Sequence, residues 1–344
     1  MRLVTFTIDG GSPRLGALIA GDTQVLDLLA ASATASRTSP AAFSSMQSLI
    51  EAGDRALDQA RQLVEKAPQS ACHAFAGVRL LAPLPRPEQI RDFVCFEEHL
   101  TRSYEAAIRI QARQSADPVA REQELRASGR YNIPKAWYRQ PLYYKANRFA
   151  VVGTGVDIMW PSYSTIIDYE LEFAAVIGRK VKDVARSNAR DCLFGYTIFN
   201  DLSARDAQLH EMEGNLGPAK GKDFDGANVM GPCIVTADEM PDPYALTMIA
   251  RVNGKEWSRG NSSTMHWRFE DLIEHVSRSE TLYPGEILGS GTVGGGCGAE
   301  LMRFLSPGDT IELEVEGIGR ITNRIVSESL SQKMGVEIQA SLPG

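Results

Sequence analysis

Apolar residues recur along this chain with two different periods. RLVTFTI, LGALIA and GDTQVLDL are short apolar-rich stretches, the first two parted by the turn GGSPR, and they read as three strands followed by a Ser/Ala-rich loop. From Ser44 the apolar positions Met46, Leu49, Ile50, Leu57, Ala60 and Leu63 fall at helical spacing, which predicts an amphipathic helix ending near Lys66, before Pro68. RLLAPLPRPEQI, with its three prolines, reads as a linker. We therefore expect a small strand-plus-helix domain over residues 1–82 and a larger domain over 83–344. Residues 100–145 form a polar, Arg-rich insertion with helical stretches through YEAAIRIQARQ and AREQELRAS, broken at Asp117 and Pro118. Its place beside chemically interesting residues suggests a lid, and a plain surface insertion accounts for the pattern equally well.

From residue 149 onward strand patterns dominate: FAVVG, YELEFAAVIG, CLFGYTIFN, CIVTA, LTMIARVNG, GEILGSGTV and TIELEVEGIG, with one helix through FEDLIEHVSRS. Turns rich in Gly and Pro separate them. The expected class is α+β, mainly β: a mixed sheet rolled into a sandwich or barrel with few helices, not a doubly wound nucleotide fold. The glycines of GTVGGGCG lack the strand-turn-helix context of a phosphate loop, and no Gly-Lys-Ser/Thr is present.

Length and charge narrow the functions. At 344 residues two unequal domains are natural, and 43% hydrophobic with 23% charged residues is ordinary for a globular protein. A net charge of -7 gives no sign of nucleic-acid binding, and an anionic substrate would have to be drawn by local cations or a metal. No apolar run approaches the roughly 18 residues of a membrane span. MRLVTFTIDGG reads as a strand rather than a signal peptide, so a cytoplasmic location is expected. Cys72, Cys95, Cys192, Cys233 and Cys297 are scattered without a Cys-x-x-Cys pair, as reduced structural thiols would be.

The candidate chemistry begins in IIDYELEFAAVIG. Strand alternation would put Glu170 and Glu172 on one face, and the apolar run after them argues against a solvated face. Buried carboxylates need a partner, and with Asp201 closing the segment GYTIFND the economical one is a hard divalent cation, Mg²⁺ or Ca²⁺.

DYELEFAAVIG, FNDLSARDAQ, GPAKGKDFD and LYPGEILGSGT, in that order, resemble the fumarylacetoacetate hydrolase family from about Pro83 to the C-terminus. The resemblance implies that family's mixed β roll, a homodimer, and a small-molecule oxo-acid substrate. It implies Glu170, Glu172 and Asp201 as ligands of Mg²⁺, or of Mn²⁺ or Ca²⁺, with Asp92 of RDFVCFEEH as a fourth. By the same resemblance His99, seven residues after Asp92, is a general base, Glu300 its partner acid, and Lys222 a group that stabilises a developing oxyanion. Arg205, Gln208, Tyr144 and Thr292 match substrate-binding positions, Arg205 and Gln208 being three apart on one helix face. Shorter family members carry a Glu three residues after the His; here that position is Arg102, and Glu98 points away from His99 on a helix. The expected activity is metal-dependent hydrolysis of the carbon-carbon bond of a 1,3-dioxo acid such as an acylpyruvate. A 2-oxo acid decarboxylase, hydratase or tautomerase uses the same metal motif, and a non-catalytic metal-binding scaffold is the third reading.

Overall fold

The computed structural model describes residues 1–34 and 40–328, so part of the Ser/Ala-rich loop and the end of the domain assigned to 83–344 lie outside the described residues. At the N-terminus β1 (Arg2–Thr7), β2 (Arg14–Ile19) and β3 (Gln24–Asp27) pair antiparallel in succession. Where the sequence reading had a loop, a short helix α1 (Leu28–Ala33) forms, because Asp27 Oδ1 accepts the backbone N–H of Ala30 at 2.9 Å. Helix α2 (Met46–Lys66) starts where the Ser45 hydroxyl accepts from Ser48 N at 3.0 Å, and it buries Met46, Leu49, Ile50, Ala60 and Leu63. Strands β4 (Cys72–Ala74) and β5 (Arg79–Leu80) complete this part.

The remainder runs β6 (Ile90–Phe93), α3 (Glu97–Arg113), α4 (Pro118–Ala127), β7 (Tyr143–Ala146), β8 (Val151–Val152), β9 (Asp157–Met159) and β10 (Ile167–Asp168). Next come β11 (Leu171–Ile177), β12 (Leu193–Asp201), β13 (Ser203–Ala204), α5 (Arg205–Glu211) and β14 (Asn228–Thr236). The order closes with β15 (Thr247–Val252), β16 (Lys255–Asn261), α6 (Phe269–Ser277), β17 (Ile287–Gly289), α7 (Gly298–Leu301), β18 (Thr310–Val315) and β19 (Gly319–Val326). The fold is α+β and mainly β.

One twelve-stranded sheet runs β4-β3-β2-β1-β14-β12-β11-β17-β6-β7, with β5 beside β1 and β8 beside β14. The N-terminal strands thus continue the main sheet, through Arg2↔Val235 and Leu3↔Ile234. A second sheet runs β16-β15-β18-β19-β9, and β10 and β13 form a two-stranded sheet among the described residues. Central strand β11 is buried on both faces: Leu171, Phe173, Ala175 and Ile177 join the core shared with Met248, Leu313 and Ile325 of the second sheet. Ala174 and Val176 join the core shared with Leu3, Leu49 and Ile50. That two-sided burial is why FAAVI reads as an unbroken apolar run rather than an alternation.

Several elements differ from the expected pattern. FAVVG yields only the two residues of β8, and TIELEVEGIG splits into β18 and β19 around a turn with Gly317 at φ +76° and Gly319 at +125°. Among the described residues no helix is long and apolar enough to cross a membrane.

Candidate active site

The ladder registers bring three acids together. Gly289 of β17 is in register with Asp92 of β6 on one side and Ala174 of β11 on the other, while Leu171 pairs with Asn200, just before Asp201 at the end of β12. Asp92, Glu172 and Asp201 each bring a carboxylate oxygen within 4.8 Å of the others, and all three side chains are buried. Gly289 is needed beside them, since a Cβ there would fall 2.2 Å from Asp92 Oδ1.

The cluster is under-satisfied. Among the described residues Asp92 Oδ1, Glu172 Oε2 and Asp201 Oδ1 are buried without a hydrogen-bond partner, and each such atom costs about 1–3 kcal/mol. Burial, then the charge of Asp201, pushes the Asp92 carboxyl well above its usual range; burial and then Asp92 do the same to Glu172. Three buried oxygen donors with spare lone pairs and mutual repulsion are what a hard divalent cation satisfies, so the residues fit such an ion.

Glu170 stands directly before the first residue of β11. It lies outside β11, bridged to Cys297, with its N–H bound to Asn200 Oδ1 at 3.0 Å. Its Oε1 is 2.8 Å from Arg205 Nη2 and its Oε2 accepts from Lys222 Nζ at 2.6 Å. Although burial pushes the Glu170 carboxyl up, Lys222 and Arg205 outweigh it and hold the group well below the usual carboxylate range. Lys222 Nζ also donates to Asp201 Oδ2, so one buried ammonium joins Glu170 to the three-oxygen cluster. Asp92 stands inside that cluster and Glu170 at its edge.

The remaining predicted residues assemble around this core. His99, in the first turn of α3, has Nδ1 2.7 Å from Glu300 Oε1, and Glu300 on α7 accepts Gly295 N at 2.7 Å through its other oxygen. A carboxylate at Nδ1 selects the tautomer that leaves Nε2 as the basic nitrogen. Glu98 turns outward to Arg102 at 2.5 Å. Arg205 is 8% exposed and gives Nε to Asp168 at 2.8 Å and Nη1 to Gln208 Oε1 at 2.9 Å. Tyr144 donates to Asp201 Oδ2 at 2.7 Å and Thr292 to Glu172 Oε1 at 3.1 Å, so both orient cluster carboxylates. A cavity of about 360 Å³ is lined by His99, Glu170, Arg205 and Gln208, and by Arg130 and Tyr131 from the segment after α4. The 100–145 insertion therefore forms part of the pocket wall.

A family model described as fumarylacetoacetate (FAA) hydrolase C-terminal matches residues 90–326, from the first residue of β6 to the last of β19. The chain belongs to the fumarylacetoacetate hydrolase family. Every residue singled out above, from Asp92 to Glu300, lies in that span. The oxaloacetate tautomerase FAHD2A, mitochondrial, of Bos taurus is 32% identical over 334 residues, covering 95% of this chain and 92% of the relative. Among solved structures, fumarylacetoacetate hydrolase from psychrophilic Exiguobacterium antarcticum superposes with a TM-score of 0.71 at 25% identity, over 95% of this chain and all of that one. Maleylpyruvate hydrolase from Sphingobium sp. SYK-6, at 24% identity and a TM-score of 0.67 over the same 95% and all of its own chain, shares the fold.

Sequence reasoning missed two acids that hold this family site in place. Glu211 accepts the N–H groups of Ala219, Lys220 and Gly221 at 2.8–2.9 Å and so sets the loop that delivers Lys222. Asp168 accepts from both α7 and Arg205. Asp168 stands in the same DYELE segment as Glu170, but no periodic pattern distinguishes it from a turn residue.

Proposed function

We propose that this chain is a divalent-cation-dependent hydrolase that cleaves the carbon-carbon bond joining the acyl carbonyl to the methylene of a 1,3-dioxo acid of the acylpyruvate type. The observation that carries the reading is the His99–Glu300 hydrogen bond at the wall of the cavity, beside the under-satisfied Asp92, Glu172 and Asp201 cluster. Those three carboxylates, with Glu170 adjoining, hold the cation, Mg²⁺ foremost, which when bound polarises substrate oxygens and offsets the negative charge gathering on them. His99 takes a proton from water, and Glu300 keeps its ring oriented and stabilises the imidazolium. The hydroxide so formed adds to the acyl carbonyl carbon, the carbon-carbon bond breaks, and its electron pair passes to the pyruvate portion, which takes up a proton. Lys222 supplies fixed positive charge against developing oxyanion character. Arg205 and Gln208 bind polar groups of the substrate.

A second reading, keto-enol tautomerisation of a 2-oxo acid, is favoured by the name carried by the bovine relative. It needs proton transfer but no water addition. Incubation of the Mg²⁺-supplemented protein with an acylpyruvate panel in ¹⁸O-water separates the two. Hydrolysis gives loss of diketone absorbance, pyruvate, and one ¹⁸O in the released carboxylic acid, with His99→Ala slowing all three. Enol conversion without cleavage supports the tautomerase, and no turnover across the panel with no effect of His99→Ala removes the hydrolase reading.

A further inference from the structure

We propose that Asp168 is the positioning residue that holds the His99–Glu300 pair and the Arg205 guanidinium in a single arrangement. Asp168 ends β10 and is fully buried. Its Oδ1 accepts Gly298 N at 2.7 Å and Tyr169 N at 2.9 Å, and its Oδ2 accepts Ala299 N at 2.9 Å and Arg205 Nε at 2.8 Å, with Arg205 Nη2 also at 2.8 Å. Gly298 and Ala299 open α7, and the next residue is Glu300. The carboxylate therefore ties down the backbone one residue before the acid that orients His99.

The other side of the joint is just as short. Strand β10 pairs with β13 through Ile167↔Ala204 and Asp168↔Ser203, and Arg205 follows Ala204 directly. Arg205 is thereby clamped between Asp168 and Glu170, while its Nη1 sets Gln208. Gly298 allows the approach, because a Cβ there would lie 2.1 Å from the Arg303 carbonyl oxygen and 2.5 Å from Asp168 Oδ1. Asp168 acts through its neighbours, so its loss should disturb water activation and substrate anchoring together. An asparagine is nearly the same size, yet its NH₂ faces donors that need an acceptor and it lacks the charge that Arg205 meets.

The kinetic arm of the test rests on the hydrolase reading. Asp168→Asn should lower kcat about 10–100-fold, part of the 10²–10⁴ range of a general base. In a Glu300→Gln background the same change should cost only about 2–3-fold, since residues in one network are non-additive. The second arm needs no substrate. In ¹⁵N-histidine-labelled protein, the downfield His99 Nδ1–H resonance, recognised by its loss in Glu300→Gln, should vanish or broaden in Asp168→Asn. A wild type inactive on every oxo acid would sink the hydrolase reading and leave this arm standing. Equal losses of kcat in both backgrounds, or an unchanged resonance in folded Asp168→Asn, overturn the positioning role. Should Asp168→Asn not fold, Asp168→Glu keeps the charge but lengthens the arm that reaches Gly298 and Ala299 and must give the same spectral change; its retention of the resonance, or failure of both variants to fold, overturns the proposal too.

Discussion

Replacing Lys222 with methionine removes the one ammonium that bridges Glu170 and Asp201 while keeping most of the side chain's volume. Glu170 retains Arg205 at 2.8 Å, whereas Asp201, among the described residues, keeps only the Tyr144 hydroxyl, with its Oδ1 already unpartnered. Lys222 is 3% exposed and Asp201 fully buried, so this is the loss of one partner from a buried ion pair, which costs about 3–5 kcal/mol. With an unfolding entropy of about 2.1 cal/mol/K per residue, a chain of 344 residues carries roughly 0.7 kcal/mol/K. The expected fall in melting temperature is then about 4–7 °C. The assay is calorimetric unfolding of Lys222→Met and wild type, in EDTA and in saturating Mg²⁺. The full gap should appear in EDTA and narrow with Mg²⁺, because a cation at the acid cluster supplies the positive charge that Asp201 has lost. A variant melting within about 1 °C of wild type in EDTA, or a gap indifferent to Mg²⁺, would refute the reasoning.

Gly289→Ala would place a Cβ 2.2 Å from Asp92 Oδ1 and displace that carboxylate. Mg²⁺ affinity by isothermal titration should fall at least about tenfold, the scale seen when groups supporting a metal site are disturbed, with the circular dichroism spectrum retained; unchanged affinity would take Asp92 out of the cation site. Asp206 tests the acid limb of stability. Burial raises its pKa, but hydrogen bonds from Ser164, Thr165 and Ala207 outweigh that and leave it lowered. A depressed carboxylate stabilises the fold above its unfolded pKa of about 3.9, and that contribution drains away as pH falls through the folded value. Asp206→Asn should therefore unfold with a shallower pH dependence below about pH 4 than wild type; identical slopes in urea titrations would count against it.

The strand patterns of β1, β2, β11, β12 and β15 and the apolar stripe of α2 were legible because each carries its own local period. Strand β6 was not: Ile90–Phe93 is four residues long and its pairing partners lie far away in sequence, at β17 and β7. Helix α7 is one turn after a glycine-rich loop, and what holds it is Asp168, 130 residues earlier, rather than any helical signal. Chemistry followed the same division. His99, Glu300, Asp92 and Glu172 were legible as residue types in a family order. The convergence of Asp92, Glu172 and Asp201 was legible through the same motifs, whereas the Lys222 ammonium between Glu170 and Asp201 was not, because no local period reports which acids a loop lysine will reach.

By itself, the sequence determined a mainly β chain with an N-terminal strand-plus-helix segment, the ordered motifs of its family, and an inventory of acids, a histidine and cations placed within those motifs. Tertiary structure alone decided that the N-terminal strands continue the main sheet. It decided too that Asp92, Glu172 and Asp201 form the under-satisfied trio while Lys222 and Arg205 engage Glu170, and that Asp168 links α7 to α5. The reason is physical: periodicity reports which face a residue takes relative to its neighbours in sequence. Where a buried charge finds its counter-charge is settled by strand order and register between segments far beyond one local period, 52 residues apart for Lys222 and Glu170, where low dielectric makes an unpaired group costly.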